Sequence, residues 1–344
     1  MSYNLTKGPR NQITDVPGVT VGHCTINNDE HKTGVTVIFP CSENPFFHKL
    51  PAASFVLNGF GKTAGLVQVD ELGSIETPIA LTNTLNVGPV WDSMAEYMIN
   101  RCLEEDDYTV RSVNPIVCEC NDGTLNHIQK RAVTAEHVQS AIENARTDFE
   151  EGAVGAGTGM ICHGLKGGIG SASRQFQVDG QTYTLGVLAL TNHGRLSDLT
   201  INGNPIGETL AEKLNKHNPD KGSCIMIAAT DLPLDSRQLN RVAKRLSVGL
   251  ARLGSFIGHG SGEVFLAFST ANAWDFRDTT KIRQCTTFSE DEMDLPFRAA
   301  AECAEEAVLK SMIHAKTTTG WKGDVIYALN DVAPSVQDLL DDFA

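Results

Sequence analysis

The chain has 344 residues, of which 41% are hydrophobic and 20% are charged, so it has enough apolar residues for a large folded core and is not a disordered tail. Acidic residues outnumber basic ones 42 to 28, and the net charge of −14 would repel phosphate groups. We therefore expect neither nucleic acid nor an anionic membrane as a partner. The N-terminal residues lack an apolar segment and no stretch is long enough to cross a bilayer, which predicts a cytoplasmic protein.

Short apolar segments alternate with amphipathic helical patterns along the whole chain, and no linker or internal repeat divides them. This order predicts a single α/β domain over residues 1–344. The predicted strands are, in chain order, Gly34 to Phe39, Ser54 to Leu57, Ile79 to Thr82, Leu185 to Thr191, Cys224 to Thr230 and Glu263 to Ser269. A hairpin should precede the fourth of them, because Asp179-Gly180 suits a type I′ turn.

Two helices are predicted in the last third of the chain. The first has Asp235 as its N-cap and stops at Gly254, and the second follows Pro296. Their apolar faces consist of Leu239, Val242, Ala243, Leu246 and Leu250 in the first and Ala301, Ala304, Val308 and Met312 in the second. We interpret both faces as core packing without a chemical role.

Glycines are concentrated in residues 151–170, which read EGAVGAGTGMICHGLKGGIG. Such a segment fits two interpretations equally well. Its backbone N–H groups form a cradle for an anion or an oxyanion, or its glycines allow strands and helices to pack closely without side chains.

Cysteine and histidine patterns do not predict a metal enzyme. The nine cysteines include no C-x-x-C pair, and no H-E-x-x-H motif occurs among the ten histidines. Cys118 and Cys120 flank Glu119, but one C-x-C without a second cluster is a weak metal signal. We expect no metal and no cofactor, and we interpret most of the cysteines as small buried apolar side chains.

The junction between Gly222 and Ser223 is a candidate for serine chemistry of an unusual kind, since the G-x-S-x-G elbow is absent. Residues 215–222 are polar and predict an exposed loop, and Ser223 begins an apolar strand. Cleavage before Ser223 would free an α-amine with a pKa of roughly 7.7 to 8.0, which can accept the hydroxyl proton near pH 7. Locally, an ordinary Gly-Ser turn explains the same residues.

Six ordered segments extend over nearly the whole chain: ITDVPGVTVGH (13–23), LNGFGKTAGL (57–66), VDELGSIETPIALTNT (69–84), KGGIGSASR (166–174), GSCIMIAATDLPL (222–234) and GHGSGEVFLAF (258–268). Together they resemble the self-processing aminopeptidases of the DmpA type, which include the β-peptidyl aminopeptidases. The resemblance implies an αββα sandwich of the DmpA and ornithine acetyltransferase type, with an N-terminal nucleophile. It also implies homo-oligomers of two-fragment units that act on short peptides, amino-acid amides or esters.

The resemblance further assigns roles to particular residues. Cleavage between Gly222 and Ser223 would give fragments 1–222 and 223–344, with Ser223 as the nucleophile and the new N-terminus. Ser261 and Glu263 match the family's supporting serine and glutamate, and the alternation of side chains along a strand independently places both on one face.

Two more residues match family positions. Asn192 corresponds to an asparagine that helps to hold the oxyanion, and Glu119 to a carboxylate that pairs with the substrate's ammonium group. Two alternative functions stay open: an acyltransferase of the ornithine acetyltransferase kind, although its nucleophile is a threonine, and an unprocessed binding protein without catalysis.

Overall fold

The computed structural model describes residues 5–216 and 222–333. The strands in these ranges are β1 (Thr6–Lys7), β2 (Thr20–Asn27), β3 (Lys32–Phe39), β4 (His48–Gly59), β5 (Ser74–Ile75), β6 (Ile79–Asn83), β7 (Ile116–Cys120), β8 (Ile161–Cys162), β9 (Leu165–Lys166), β10 (Ile169–Val178), β11 (Gln181–Asn192), β12 (Thr200–Ile201), β13 (Asn204–Pro205), β14 (Ser223–Thr230), β15 (Gly262–Ser269), β16 (Trp274–Asp275), β17 (Thr318–Thr319) and β18 (Val325–Ile326). The α-helices are α1 (Leu66–Leu72), α2 (Val87–Asp106), α3 (Ala135–Glu143), α4 (Gly207–Lys213), α5 (Ser236–Arg252), α6 (Asp294–Ile313) and α7 (Leu329–Val332).

Two sheets contain most of the long strands. In the described ranges the larger sheet has the order β1-β10-β11-β14-β15-β4-β16, and β5 also pairs with β4. Its neighbouring strands are antiparallel except β14 and β15, which run parallel. The smaller sheet has the order β2-β3-β6-β7, in which β6 and β7 are the parallel pair.

The two sheets pack face to face, and helices cover both outer faces. Because successive side chains of a strand point to opposite faces, β14 contributes to two cores. Ile225 and Ile227 pack between the sheets, whereas Met226 and Ala228 pack with residues of α5 and α6. Helices α2 and α3 cover the outer face of the smaller sheet. The layers are therefore helix, sheet, sheet, helix, which confirms the predicted αββα sandwich.

Each predicted strand lies within an observed strand. The Asp179-Gly180 turn joins β10 directly to β11, and its φ values of 49° and 79° are those of a type I′ turn. Helix α5 begins after Asp235, whose side chain accepts a hydrogen bond from the backbone N–H of Gln238 (2.7 Å). It ends before Gly254, as predicted.

Helix α6 differs from the prediction in two respects. It begins at Asp294, so Pro296 lies inside the first turn, where a backbone N–H has no partner within the helix and proline is tolerated. The helix is also buried on nearly every side and not along one stripe. Two of its buried acids are paired with a buried arginine of β10: Arg174 lies 3.1 Å from Glu302 and 2.7 Å from Glu306.

The glycine-rich segment is packed closely against its neighbours. A Cβ atom at Gly168 would lie 1.9 Å from the Gly152 carbonyl oxygen, and one at Gly170 would lie 1.9 Å from that of Ala307 in α6. The ammonium of Lys166 donates to the carbonyl oxygens of Gly157, Met160 and Gly167. The groups that converge here are therefore carbonyl oxygens around a lysine, whereas an anion cradle would need converging backbone N–H groups. The geometry favours the packing interpretation over an anion cradle.

None of the described helices has the length and apolar character to cross a membrane. Seven of the nine cysteines are buried, Cys24 is partly buried and Cys285 is exposed.

Candidate active site

Ser223 lies at the end of the larger sheet, where three strand ends meet. It is the first residue of β14 and its exposed fraction is 5%. Asn192, the last residue of β11, pairs directly with it on one side, and Gly262, the first residue of β15, pairs with it on the other. In the segment predicted to be an exposed loop before Ser223, residues 217–221 lie outside the described residues.

Ser261 and Glu263 flank the glycine that pairs with Ser223. Both are fully buried, and the Ser261 hydroxyl donates a hydrogen bond to Oε1 of Glu263. Strand β15 begins at Gly262, between the two residues. The contact that their spacing predicts is therefore present, and it is made by the residues directly before and after the one that pairs with Ser223.

The carbonyl group of Gly222 is held at this junction. Its oxygen accepts a hydrogen bond from the backbone N–H of Gly262 (3.1 Å). A Cβ atom at position 222 would lie 1.8 Å from the carbonyl oxygen of Asn192 and 2.6 Å from Cα of His193, so the backbone leaves room for glycine alone. The peptide bond before Ser223 is thus fixed between β11 and β15, with an N–H donor on its carbonyl oxygen.

The side-chain amide of Asn192 is held in one orientation. Its Oδ1 accepts from the backbone N–H of Ile161 (2.9 Å), and its Nδ2 donates to the carbonyl oxygen of Asn121 (3.0 Å). A primary amide has two N–H donors. One of them is used in the bond to Asn121, which keeps the group in place, and the second remains as a donor for another acceptor.

A cavity of about 660 Å³ opens at Ser223 and is also lined by Glu119. The Glu119 carboxylate is buried, with an exposed fraction of 3%. Its Oε1 accepts from the backbone N–H of Lys62 (2.9 Å), and its Oε2 accepts from the Thr84 hydroxyl. A fixed, buried carboxylate at the wall of a cavity is suited to bind an ammonium group.

Two further features of this region were not predicted from the sequence: a pair of exposed aromatic rings and a second cavity. Phe60 and Phe256, each 57% exposed, line the same cavity although they are distant in the chain. A second cavity of about 380 Å³ is lined by Asn192, and Gly222 lines both cavities. The junction before Ser223 therefore lies where two cavities meet, and only the three-dimensional fold reveals this.

A neighbouring carboxyl group has an unusual protonation state. Asp122 is buried, and this burial raises its pKa from 3.8 to about 7, although Asn126 Nδ2 donates to Oδ1 (3.0 Å). Between pH 4 and pH 7 the folded state therefore binds more protons at Asp122 than the unfolded state does, and stability falls as pH rises through this window.

We expect Asp122→Asn to remove this pH dependence, because the amide of similar size does not ionise. Relative to the wild type, the free energy of unfolding of the variant should increase between pH 4 and pH 8 by up to about 4 kcal/mol, which is equivalent to roughly three pKa units. Urea unfolding at a series of pH values measures the difference. Exposed Asp29→Asn is the control, and a difference that does not change with pH would contradict the assignment.

The αββα sandwich is similar to a solved variant of the Ntn hydrolase fold, and a buried serine stands at the start of one of its central strands. The model of peptidase family S58 matches residues 11–326. The chain belongs to this family, and it is a hydrolase, an aminopeptidase.

Relatives and solved structures are similar over nearly the whole chain. The β-peptidyl aminopeptidase BapA of Sphingosinicella xenopeptidilytica is 35% identical, over 95% of this chain and 86% of its own length. The structure of a Burkholderia β-aminopeptidase is 37% identical with a TM-score of 0.88, covering 100% of this chain and 99% of that one. The L-aminopeptidase D-Ala-esterase/amidase of Ochrobactrum anthropi, described as a variant of the Ntn hydrolase fold, is 33% identical with a TM-score of 0.90, covering 98% and 97%.

Proposed function

We propose that this chain cleaves itself between Gly222 and Ser223 and then acts as a serine aminopeptidase. The observation that carries the proposal is the fixed Gly222 carbonyl with the Gly262 N–H on its oxygen. The Ser223 hydroxyl oxygen attacks the Gly222 carbonyl carbon, and the negative charge on the carbonyl oxygen is stabilised by that donor. The bond to the Ser223 nitrogen breaks, and the nitrogen takes up the hydroxyl proton. Water then hydrolyses the ester and releases fragments 1–222 and 223–344.

The freed α-amine is the base of the mature reaction. It takes the proton of the Ser223 hydroxyl, whose oxygen attacks the carbonyl carbon of the substrate's first residue. The second N–H of Asn192 donates to the developing oxyanion. Ser261, held by Glu263, aligns the amine from the neighbouring strand. The leaving amine departs with the proton, and water hydrolyses the acyl-enzyme.

The substrates are short peptides, amino-acid amides or esters with a free amino group. Glu119 binds that ammonium in the 660 Å³ cavity, and the exposed rings of Phe60 and Phe256 contact the first side chain. The β-peptidyl specificity in the names of the relatives supports acceptance of β-amino acids at the same position. The active form is a cytoplasmic homo-oligomer of two-fragment units.

The intact mass of freshly purified protein under denaturing conditions tests the proposal directly. We expect two masses, split between Gly222 and Ser223, together with hydrolysis of aminoacyl p-nitroanilides. Transfer of the acyl group to an added amine in preference to water would instead indicate an acyltransferase. A single full-length mass without hydrolysis would indicate an unprocessed binding protein.

We expect Glu119→Gln to weaken substrate binding more than it slows the chemistry. Glutamine has the same shape and Thr84 can reverse its hydrogen bond, but the charge that attracts the ammonium is lost. KM should rise by about 10- to 100-fold with a smaller change in kcat, equivalent to about 1.4 to 2.7 kcal/mol. Steady-state kinetics with an aminoacyl p-nitroanilide measure both values.

The matched control is Glu136→Gln, which changes an exposed glutamate in the first turn of α3. It should leave KM and kcat unchanged. A loss of kcat with KM unchanged in Glu119→Gln would place this carboxylate in the chemical step and not in substrate binding.

A further inference from the structure

Three side chains with metal-binding atoms meet beside the second cavity. The sulfur of Cys162 and ring nitrogens of His163 and His193 all lie within 4.8 Å of one another, and all three residues are buried. Cys162 ends β8, His163 lies in the turn to β9, and His193 follows the last residue of β11. The proposed hydrolytic reaction uses none of them.

The ring of His163 is held in an orientation suited to a ligand. Its Nδ1 lies 3.0 Å from the carbonyl oxygen of Arg195, and because a carbonyl only accepts, Nδ1 carries the hydrogen. The lone pair is therefore on Nε2, the arrangement that a metal-binding imidazole requires. The residue has a φ of 47°, uncommon for a side chain with a Cβ. A Cβ at Gly194 would lie 2.5 Å from Cε1 of this ring, so glycine there makes space for it.

His193 provides an independent indication of a ligand. Its exposed fraction is 2%, and within residues 5–216 and 222–333 neither of its ring nitrogens has a hydrogen-bond partner. Leaving such a buried polar group unsatisfied is costly, and native structures rarely do so without a functional reason. The backbone also connects the two histidines, because the N–H of His163 donates to the carbonyl oxygen of His193 (2.6 Å).

We propose that Cys162 Sγ, His163 Nε2 and one ring nitrogen of His193 form a binding site for Zn²⁺ or a similar divalent transition metal. A thiolate with two imidazoles suits this class of ion, whereas Mg²⁺ and Ca²⁺ require oxygen ligands. Binding replaces the proton of the Cys162 thiol, which is released to solvent.

The place of the site suggests its role. His193 lines the 380 Å³ cavity, from which a water can complete four-fold coordination. His193 directly follows Asn192 in the sequence, and Asn192 pairs with Ser223 in the sheet. The metal therefore connects the β8–β9 turn to the end of β11 and stabilises the strand end that carries the proposed oxyanion donor. It takes no part in the reaction.

Cobalt binding to the metal-free, reduced wild-type protein tests this proposal. We expect one Co²⁺ per chain, with a thiolate-to-cobalt charge-transfer band and the visible absorption of tetrahedral cobalt, both removed by Zn²⁺. Cys162→Ser and His193→Asn should each lower the cobalt affinity by about 100-fold. Zn²⁺ should raise the Tm of the wild type by several degrees and that of the variants much less.

The matched control is Cys285→Ser, which removes the exposed cysteine and should leave cobalt binding unchanged. Binding without a charge-transfer band, or binding that survives both variants, would overturn the proposal. If the variants do not fold, X-ray absorption of the wild-type zinc form decides, with one sulfur and two imidazole nitrogens expected. Ser223→Ala should bind metal as tightly as the wild type, so this result is separate from the outcome for self-cleavage.

Discussion

Ser223→Ala should give a full-length chain without aminopeptidase activity. The substitution removes the only oxygen that the proposed mechanism uses to attack both the Gly222 carbonyl and the substrate, and without cleavage the α-amine base is not formed. We expect no fragment 223–344 in the mass spectrum. The loss in kcat/KM on an aminoacyl p-nitroanilide should be at least about 10³-fold.

Unfolding should not explain this loss. Ser223 is buried at the start of β14 and pairs with both neighbours through its backbone, which alanine retains. The control is Ser247→Ala, on helix α5 away from the site, which should be cleaved and active. A Ser223→Ala protein that is still cut and active would exclude Ser223 as the nucleophile, and circular dichroism of both variants checks the fold.

Much of the scaffold around Ser223 follows from local sequence. Alternating apolar residues predict the central strands, Asp179-Gly180 predicts the hairpin, and Asp235 predicts the start of α5, because each depends on neighbours in the chain. The contact of Ser261 with Glu263 is different, because local composition alone makes Ser261 a turn residue and Glu263 a solvated charge, and the family resemblance drew attention to the pair.

What the sequence did not predict depends on residues distant in the chain. The burial of Glu302 and Glu306 in α6 depends on Arg174 of β10, and a helical pattern alone cannot show a partner on another strand. The Gly262 donor to the Gly222 carbonyl depends on the parallel pairing of β14 with β15. Cysteine spacing likewise gave no sign of the Cys162 cluster, because its third member comes from the end of β11.

Gly222→Ala should block self-cleavage while leaving Ser223 in place. The added Cβ would lie 1.8 Å from the carbonyl oxygen of Asn192, so the backbone of residue 222 must shift. That shift would move the scissile carbonyl away from the Gly262 N–H that holds its oxygen. We expect the cleavage rate to fall by at least about 100-fold, equivalent to about 2.7 kcal/mol in the barrier. The time course of fragment formation after synthesis measures it.

Gly88→Ala is the matched control, because a Cβ at that position meets nothing within 4 Å. It should be cleaved at the wild-type rate. In Gly222→Ala, activity should follow the cleaved fraction, since residue 222 acts only in the first reaction and not on substrates. Cleavage of Gly222→Ala at the wild-type rate would show that the close contact with Asn192 does not set the geometry of the scissile bond. Normal cleavage with lost activity would instead indicate that Gly222, which lines both cavities, helps to bind the substrate.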